Sequence, residues 1–453
     1  MSVAVMWFRR DLRLGDHPAL GRAAEDGAVL PLVVLDPALL RTAGRRRDRY
    51  LASVAALRDA TGGALEIRTG DPAVEVRAAA RRVGATRVHV SADGTPYGRR
   101  RDRRVGDLLA ESGLELIMTG SPYAIGPGLV RTGSGGPYQV FTPFHRAWRD
   151  HGWPAPAPGI EPTWHRSDVD PAHRRLPDPA DHDAGEERAL ARWWRYLEEA
   201  IDRYDAERDR PDLDATSRMS IPLKYGELHP RTLLADVAAG PSTSGREKFV
   251  AELCWREFYA DVLWHRPQSA WRDLRPELAA MDYADPDDAA ELITAWKQGR
   301  TGFPAVDAAM RQLAAEGWMH NRMRMITASF LIKDLHVWWP VGARYFLDQL
   351  LDGDLASNNH GWQWVAGTGT DAAPYFRIFN PVTQAKRFDP DGDYVRRWVP
   401  ELRHLAGAAV HEPWRAGDGY ADGYPERIVD HAEEREVALT RYRLARAAQE
   451  RPE

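Results

Sequence analysis

Five short apolar runs alternate with longer mixed segments over the first 120 residues, and nothing like that alternation recurs after Glu186. The runs are Val3–Phe8, Val29–Leu35, Leu65–Ile67, Arg87–Val90 and Leu114–Met118. Between them lie stretches of helical period near residues 17–25, 48–60, 72–83 and 99–112. Apolar runs joined by helices specify parallel strands with helical crossovers, so the spacing predicts a doubly wound parallel sheet. No GxGxxG or Walker A loop follows the first run, so the usual phosphate-cradling turn is missing and a dinucleotide on this sheet is not supported. From Glu186 onward the pattern is helical, punctuated by Pro211, Pro222, Pro230, Pro267, Pro304 and Pro340. The fold expected is α/β followed by all-α. The boundaries are an α/β domain over 1–130, an inter-domain linker over 131–185 with residues 151–185 rich in Pro, His and Asp, and a helical domain over 186–453.

Composition narrows the functional classes. The chain has 453 residues, too many for one core. Its net charge is -5, so nucleic acid binding would need a local patch and not a bulk polycation. Cys254 is the only cysteine, which excludes an internal disulfide and any cysteine-based metal cluster. No metal is expected: Asp352 and Asp354 alternate as in a calcium loop, but the next ligand position is Ala356 and no glycine follows it. There is no apolar stretch of membrane-spanning length and no basic leader, so a cytoplasmic, monomeric protein without membrane contact is expected. The arginine runs at 45–49 and 99–104 are expected as solvated helix surface, and the tail from about 430 as a charged, exposed helix.

The chemistry concentrates between Trp318 and Phe376, in WMHNRMRM (318–325), DGDLASNNHGWQW (352–364) and GTGTDAAPYF (367–376). Amides beside indoles suit a cavity that hydrogen-bonds a flat heterocycle and passes electrons. With FRRDLRLGDHPAL (8–20), TSRMS (216–220) and ELCWREFY (252–259), these blocks closely resemble the photolyase/cryptochrome flavoproteins, in the family's order and near its spacing. The resemblance is closest to class I cyclobutane pyrimidine dimer DNA photolyases. It implies light-driven repair of pyrimidine dimers by electron transfer from excited reduced FAD to a dimer flipped out of UV-damaged DNA. A cryptochrome-type blue-light receptor is the alternative.

The resemblance also assigns residues. FAD contacts fall on Tyr204, Thr216, Ser217, Arg218, Met219, Ser220, Phe249, Arg324, Asp352, Gly353, Asp354 and Asn358, the last facing flavin N5. Phe249 stands where many relatives carry tryptophan. The dimer pocket and DNA contacts fall on Arg208, Glu252, Trp255, Arg256, Tyr259, Asn321, Arg322, Met325 and Trp364, with Glu252 and Asn321 acting on the dimer itself and Arg208, Arg256 and Arg322 as the candidates for DNA phosphate. Trp362 and Trp339 match two members of a tryptophan chain that reduces the flavin, and Tyr283 stands where the third is expected. Lys224 matches a lysine of relatives that bind an 8-hydroxy-5-deazaflavin antenna, with methenyltetrahydrofolate as the alternative antenna.

Overall fold

The computed structural model describes residues 2–40, 44–166, 176, 183–275, 278, 281–370 and 376–449. Residues 371–375 of the last motif, and 167–175 and 177–182 of the expected linker, lie outside the described residues. The chain divides into two compact units. The first comprises Met1–Tyr138, Thr142–Asp205 and Ser217–Pro267, the second Gln139–Phe141, Ala206–Thr216 and Gln268–Glu453.

The first unit opens with β1 (Val3–Phe8), α1 (Pro18–Glu25), β2 (Ala28–Leu35), α2 (Pro37–Leu40), α3 (Arg45–Ala60) and β3 (Glu66–Thr69). It continues with α4 (Pro72–Arg82), β4 (Arg87–Val90), α5 (Pro96–Ala110) and β5 (Glu115–Met118). All pairings are parallel and the strand order is β3-β2-β1-β4-β5, the doubly wound arrangement expected. Successive side chains of a strand face opposite sides, and on central β1 both sides are covered. Ala4, Met6 and Phe8 enter one core with Val29, Val33 and Leu57, while Val5 and Trp7 enter the other with Leu30, Leu32 and Val76. This is why the strands read as continuous apolar runs.

Three expectations need correction here. The stretch 131–185, expected as an inter-domain linker, holds α6 (Phe141–His151), and Thr163 and His165 hydrogen-bond Val29 of β2 beside a parallel bridge to Trp164. The helices α7 (Glu186–Glu199), α9 (Ser220–Tyr225), α10 (Pro230–Ala239) and α11 (Ser244–His265), placed in the helical domain by sequence, belong to the first unit, and α8 (Tyr204–Glu207) lies where the chain passes to the second. The arginine runs are not all solvated. Arg49 forms a two-pronged pair with Glu227, at 2.7 and 2.6 Å, with both side chains buried, and Glu227 also accepts the Gly185 N–H. Arg101 is likewise buried against Asp93 and Asp102. Such partners are distant in sequence and leave no local trace. Gly226, which ends α9, has φ +68°, and a Cβ there would stand 1.9 Å from the Arg10 carbonyl oxygen. Only glycine lets α9 close on the FRRDL segment.

The second unit is helical: α12 (Ala290–Gln298), α13 (Pro304–Glu316), α14 (Asn321–Ser329), α15 (Trp339–Gln349), α16 (Leu355–Ala366), α17 (Pro381–Phe388), α18 (Asp393–Trp398) and α19 (His431–Gln449). A π-helical turn, Phe330–Asp334, follows α14. The tail helix α19 is anchored more firmly than its charge suggested. His431 pairs with Asp334 at 2.5 Å, Glu434 with His336 at 2.7 Å, and Tyr442 stacks on Phe376. Among the described residues no helix is long and apolar enough to cross a membrane.

The buried ionisable groups make the fold sensitive to charge. Glu227→Gln should leave Arg49 charged and half-paired in the interior, lowering stability by about 3–5 kcal/mol, read as a lower urea midpoint. His320 and His360 are held neutral. Burial pulls each down to about 4, and the His320 Nδ1 is already an acceptor for the Arg322 N–H that opens α14. A folded-state value below the unfolded one means that unfolding takes up protons as pH falls through 6.5 towards 4. Stability should therefore drop over that window, by up to roughly 1.4 kcal/mol per pH unit for each histidine. Urea midpoints measured between pH 7 and 5 check this, and His360→Asn should flatten the dependence.

Candidate functional site

In the first unit, α11 carries a group of the residues that the resemblance assigns. Leu253, Cys254, Glu257, Phe258 and Asp261 are buried, whereas Glu252, Trp255, Arg256 and Tyr259 are half-buried. Spacing of three and four puts the second set on one helix face, so the resemblance-derived residues share one face of α11. Trp255 and Tyr259 lie 5.3 Å apart between ring centroids. Lys248 stands 3.8 Å from the Glu252 carboxylate. The Arg256 guanidinium donates to the Pro122 and Leu223 carbonyls at 2.8 and 3.2 Å and lies over the Tyr123 ring, so it ties α11 to α9 and to the segment around Pro122.

Thr216–Ser220 leads into α9, with Ser220 its first residue. The Ser217 hydroxyl accepts the Met219 N–H at 3.2 Å, and Arg218 has φ +53°, a strained conformation for a side chain of its size. Phe249 joins an aromatic group: Trp193 stacks on it at 5.2 Å, with Tyr204 at 5.7 Å and Tyr196 at 5.9 Å. Trp193 and Tyr196 were not singled out by sequence, although both lie on the aromatic stripe of α7. Lys224 is half-buried on α9.

In the second unit, α14 presents Asn321, Arg322 and Met325 on its accessible side, while Met323 and Ile326 are buried. Arg324 donates to the Met319 carbonyl and to Asp352 Oδ2, both at 2.8 Å. Asp352 is buried, and its other oxygen, Oδ1, has no hydrogen-bond partner among the described residues. An orphaned buried carboxylate oxygen calls for a donor from a bound molecule, so this residue fits a hydroxyl- or N–H-bearing cofactor. Gly353 occupies the turn before Asp354, and Asp354 caps α16 by accepting the Ala356 and Ser357 N–H groups. The cap holds Asn358 on the first turn. Both N–H bonds of its amide are used, one on the Ala343 carbonyl at 3.1 Å and one on Asn359 Oδ1 at 2.8 Å. Its oxygen is left as the accepting end, which suits a heterocycle presenting an N–H. These residues fit FAD.

Trp362 is buried beside Phe346 and Trp296, at 5.0 and 6.2 Å between centroids. It approaches α15 closely: a Cβ on Gly342 would meet its ring at 2.2 Å. Trp339, one turn before Gly342, donates its indole N–H to Asp273 at 2.7 Å, and Trp338 reaches the same carboxylate at 3.4 Å. Tyr283 packs against this core, and burial, with the Asp273 charge, pushes its hydroxyl pKa up. The Arg377 guanidinium lies over the Trp364 ring. Arg208 and Arg322 both approach Asp209. Sequence reading missed Asp209, Asp273 and Trp296. Only Asp209, within the alternating charges of RDRPD, carries a local signal. Among the described residues no group of three or more His, Cys, Asp or Glu is placed to hold a metal ion.

Comparison with known proteins agrees with this geometry. Residues 4–161 match the family model of DNA photolyase, and residues 249–444 match the FAD binding domain of DNA photolyase. The deoxyribodipyrimidine photo-lyase of Streptomyces griseus is 44% identical, over 96% of this chain and 98% of the relative. The crystal structure of a bacterial class III photolyase from Agrobacterium tumefaciens superposes with a TM-score of 0.88 at 36% identity, covering 99% of this chain and 98% of that one. The cryptochrome of Synechocystis superposes with a TM-score of 0.84 at 26% identity, covering 97% and 99%. With likeness of this degree over nearly its whole length, the chain belongs to the DNA photolyase family.

Proposed function

We propose that this protein repairs cyclobutane pyrimidine dimers in UV-damaged DNA, as a deoxyribodipyrimidine photo-lyase. The observation that carries the reading is the half-buried face of α11, where Trp255 and Tyr259 stand beside the Glu252 carboxylate in a chain of this family. Aromatic faces stack on unpaired bases, and flipping a nucleotide out of the duplex is the general route for enzymes that must reach it, photolyases included. Bound FAD supplies a light-driven electron. In the first unit the role of Trp255 is to stack on the dimer and that of Glu252 to hydrogen-bond its edge; in the second unit Asn321 has the hydrogen-bonding role, and Met325 and Trp364 the role of excluding water. The Asn358 oxygen and the Asp352 Oδ1 would hold FAD, each accepting a hydrogen bond from it. Trp362, Trp339 and Tyr283 are the residues that would pass electrons towards bound FAD, and the Asp273 carboxylate would favour positive charge at Trp339.

For the antenna we propose an 8-hydroxy-5-deazaflavin, supported by Lys224. In the same unit a buried charged cluster surrounds Asp93. Burial raises this carboxyl, but Arg101, Arg10 and Arg9 outweigh that effect and hold it at about 2.

The deciding experiment is light-dependent loss of thymine dimers from irradiated DNA; no loss under blue or near-UV light with FAD bound and reduced would overturn the reading. Trp255→Ala should reduce preference for dimer-containing over undamaged duplex by roughly 1–3 kcal/mol, the usual worth of base–aromatic stacking, in competition binding in the dark. Trp362→Phe should nearly abolish photoreduction of oxidised protein while repair by chemically reduced protein persists. Tyr283→Phe should slow the same step less severely; transient absorption after a flash reads both.

A further inference from the structure

One carboxylate occupies the two arginines expected to meet DNA phosphate in the second unit. Asp209 accepts two bonds from Arg322, from Nη2 at 2.8 Å and Nε at 3.3 Å. Arg208 Nε lies 3.8 Å from the same Asp209 side chain. The Arg322 guanidinium also lies over the Phe388 ring at 4.5 Å, which fixes its plane. Carboxylate and phosphate engage a guanidinium through the same two-pronged geometry, so Asp209 fills the fork that a phosphate would use. This pair is not a core pair: the Arg322 and Asp209 side chains are 17% and 32% exposed. An ion pair so open to water is weak and yields to a competing anion. Three residues beyond Asp209, Asp212 occupies Arg210 in the same way, with Nε at 2.8 Å.

We propose that Asp209 is an internal competitor for DNA phosphate, holding Arg322 and Arg208 ready for an anion while restraining lesion-independent affinity. The proposal rests on the DNA-repair reading above. A phosphate that displaces Asp209 from Arg322 still has that negative charge beside it, whether or not the duplex carries a dimer. The restraint therefore acts equally on damaged and undamaged DNA and leaves their ratio alone. Undamaged sites vastly outnumber dimers, so weaker backbone binding frees the protein to search.

The test is equilibrium binding of the FAD-loaded protein, in the dark, to one duplex with a single thymine dimer and the same duplex without it, over a series of salt concentrations. Asp209→Asn should bind both duplexes roughly fivefold more tightly, the effect of removing one charge about 4 Å from a phosphate in water. The ratio between the duplexes should stay at the parental value. The slope of log K against log salt should steepen by roughly 0.9, one phosphate equivalent. Asp209→Glu should bind as the parent does. The gain should disappear when Arg322→Ala and Arg208→Ala are added to Asp209→Asn. Equal or weaker binding by Asp209→Asn overturns the proposal, leaving Asp209 as a support for Arg322, and so does a gain that survives loss of both arginines. Failure of the underlying reading looks different: the parent itself would show no preference for the dimer and no light-dependent loss of it.

Discussion

Two buried carboxylates on α11 hold the proposed recognition face in place. Glu257 accepts the Ala124 and Ile125 N–H groups and the Trp148 indole N–H, and one turn later Asp261 accepts the Gly128 N–H. Burial raises both carboxyls, so each is costly to keep charged, and the bonds they accept offset that cost. With the inner face tied to the loop at 121–130 and to α6, the helix cannot rotate. Glu252, Trp255 and Tyr259 are then fixed on the opposite face without being buried by their own fold. A surface that must bind a base needs such support from behind, since its own groups have to stay available.

The sheet was legible in sequence because a parallel sheet covered on both sides leaves a strong local mark. β1 and β4 appear as Val3–Phe8 and Arg87–Val90 in both descriptions, and the other three strands differ by a residue or two at their ends. The helical character beyond Glu186 was equally plain. The grouping of helices into compact units was not. It depends on pairs such as Arg49 with Glu227 and Glu257 with Trp148, separated by 178 and 109 residues, and periodicity is blind to a partner that far away. For the same reason each of the two arginine runs that look solvated hides one guanidinium in an ion pair away from water, and Arg256 spends its guanidinium on carbonyl groups.

The candidate site was legible through motif likeness and not through physics, and the structure adds what likeness omits. Asn358 could be placed from sequence, but the direction of its amide is set by Ala343 and Asn359. Asp352 could be placed, but its unmet oxygen appears only once Arg324 is seen to take the other. Asp273 and Trp296 had no motif to mark them, because their importance comes from contact with Trp339 and Trp362.

The anchoring of α19 bears on the order in which the protein is made. Asp307 waits 117 residues for the Tyr424 hydroxyl, and Asp334 waits 97 for His431. At ordinary rates of translation that is on the order of ten seconds during which buried acids lack their partners. The first unit closes its Arg49–Glu227 pair well before those residues are synthesised. The nascent chain therefore passes through a stage in which a finished sheet unit trails a helical half whose aromatic interior is still open, and there a chaperone has the most to protect.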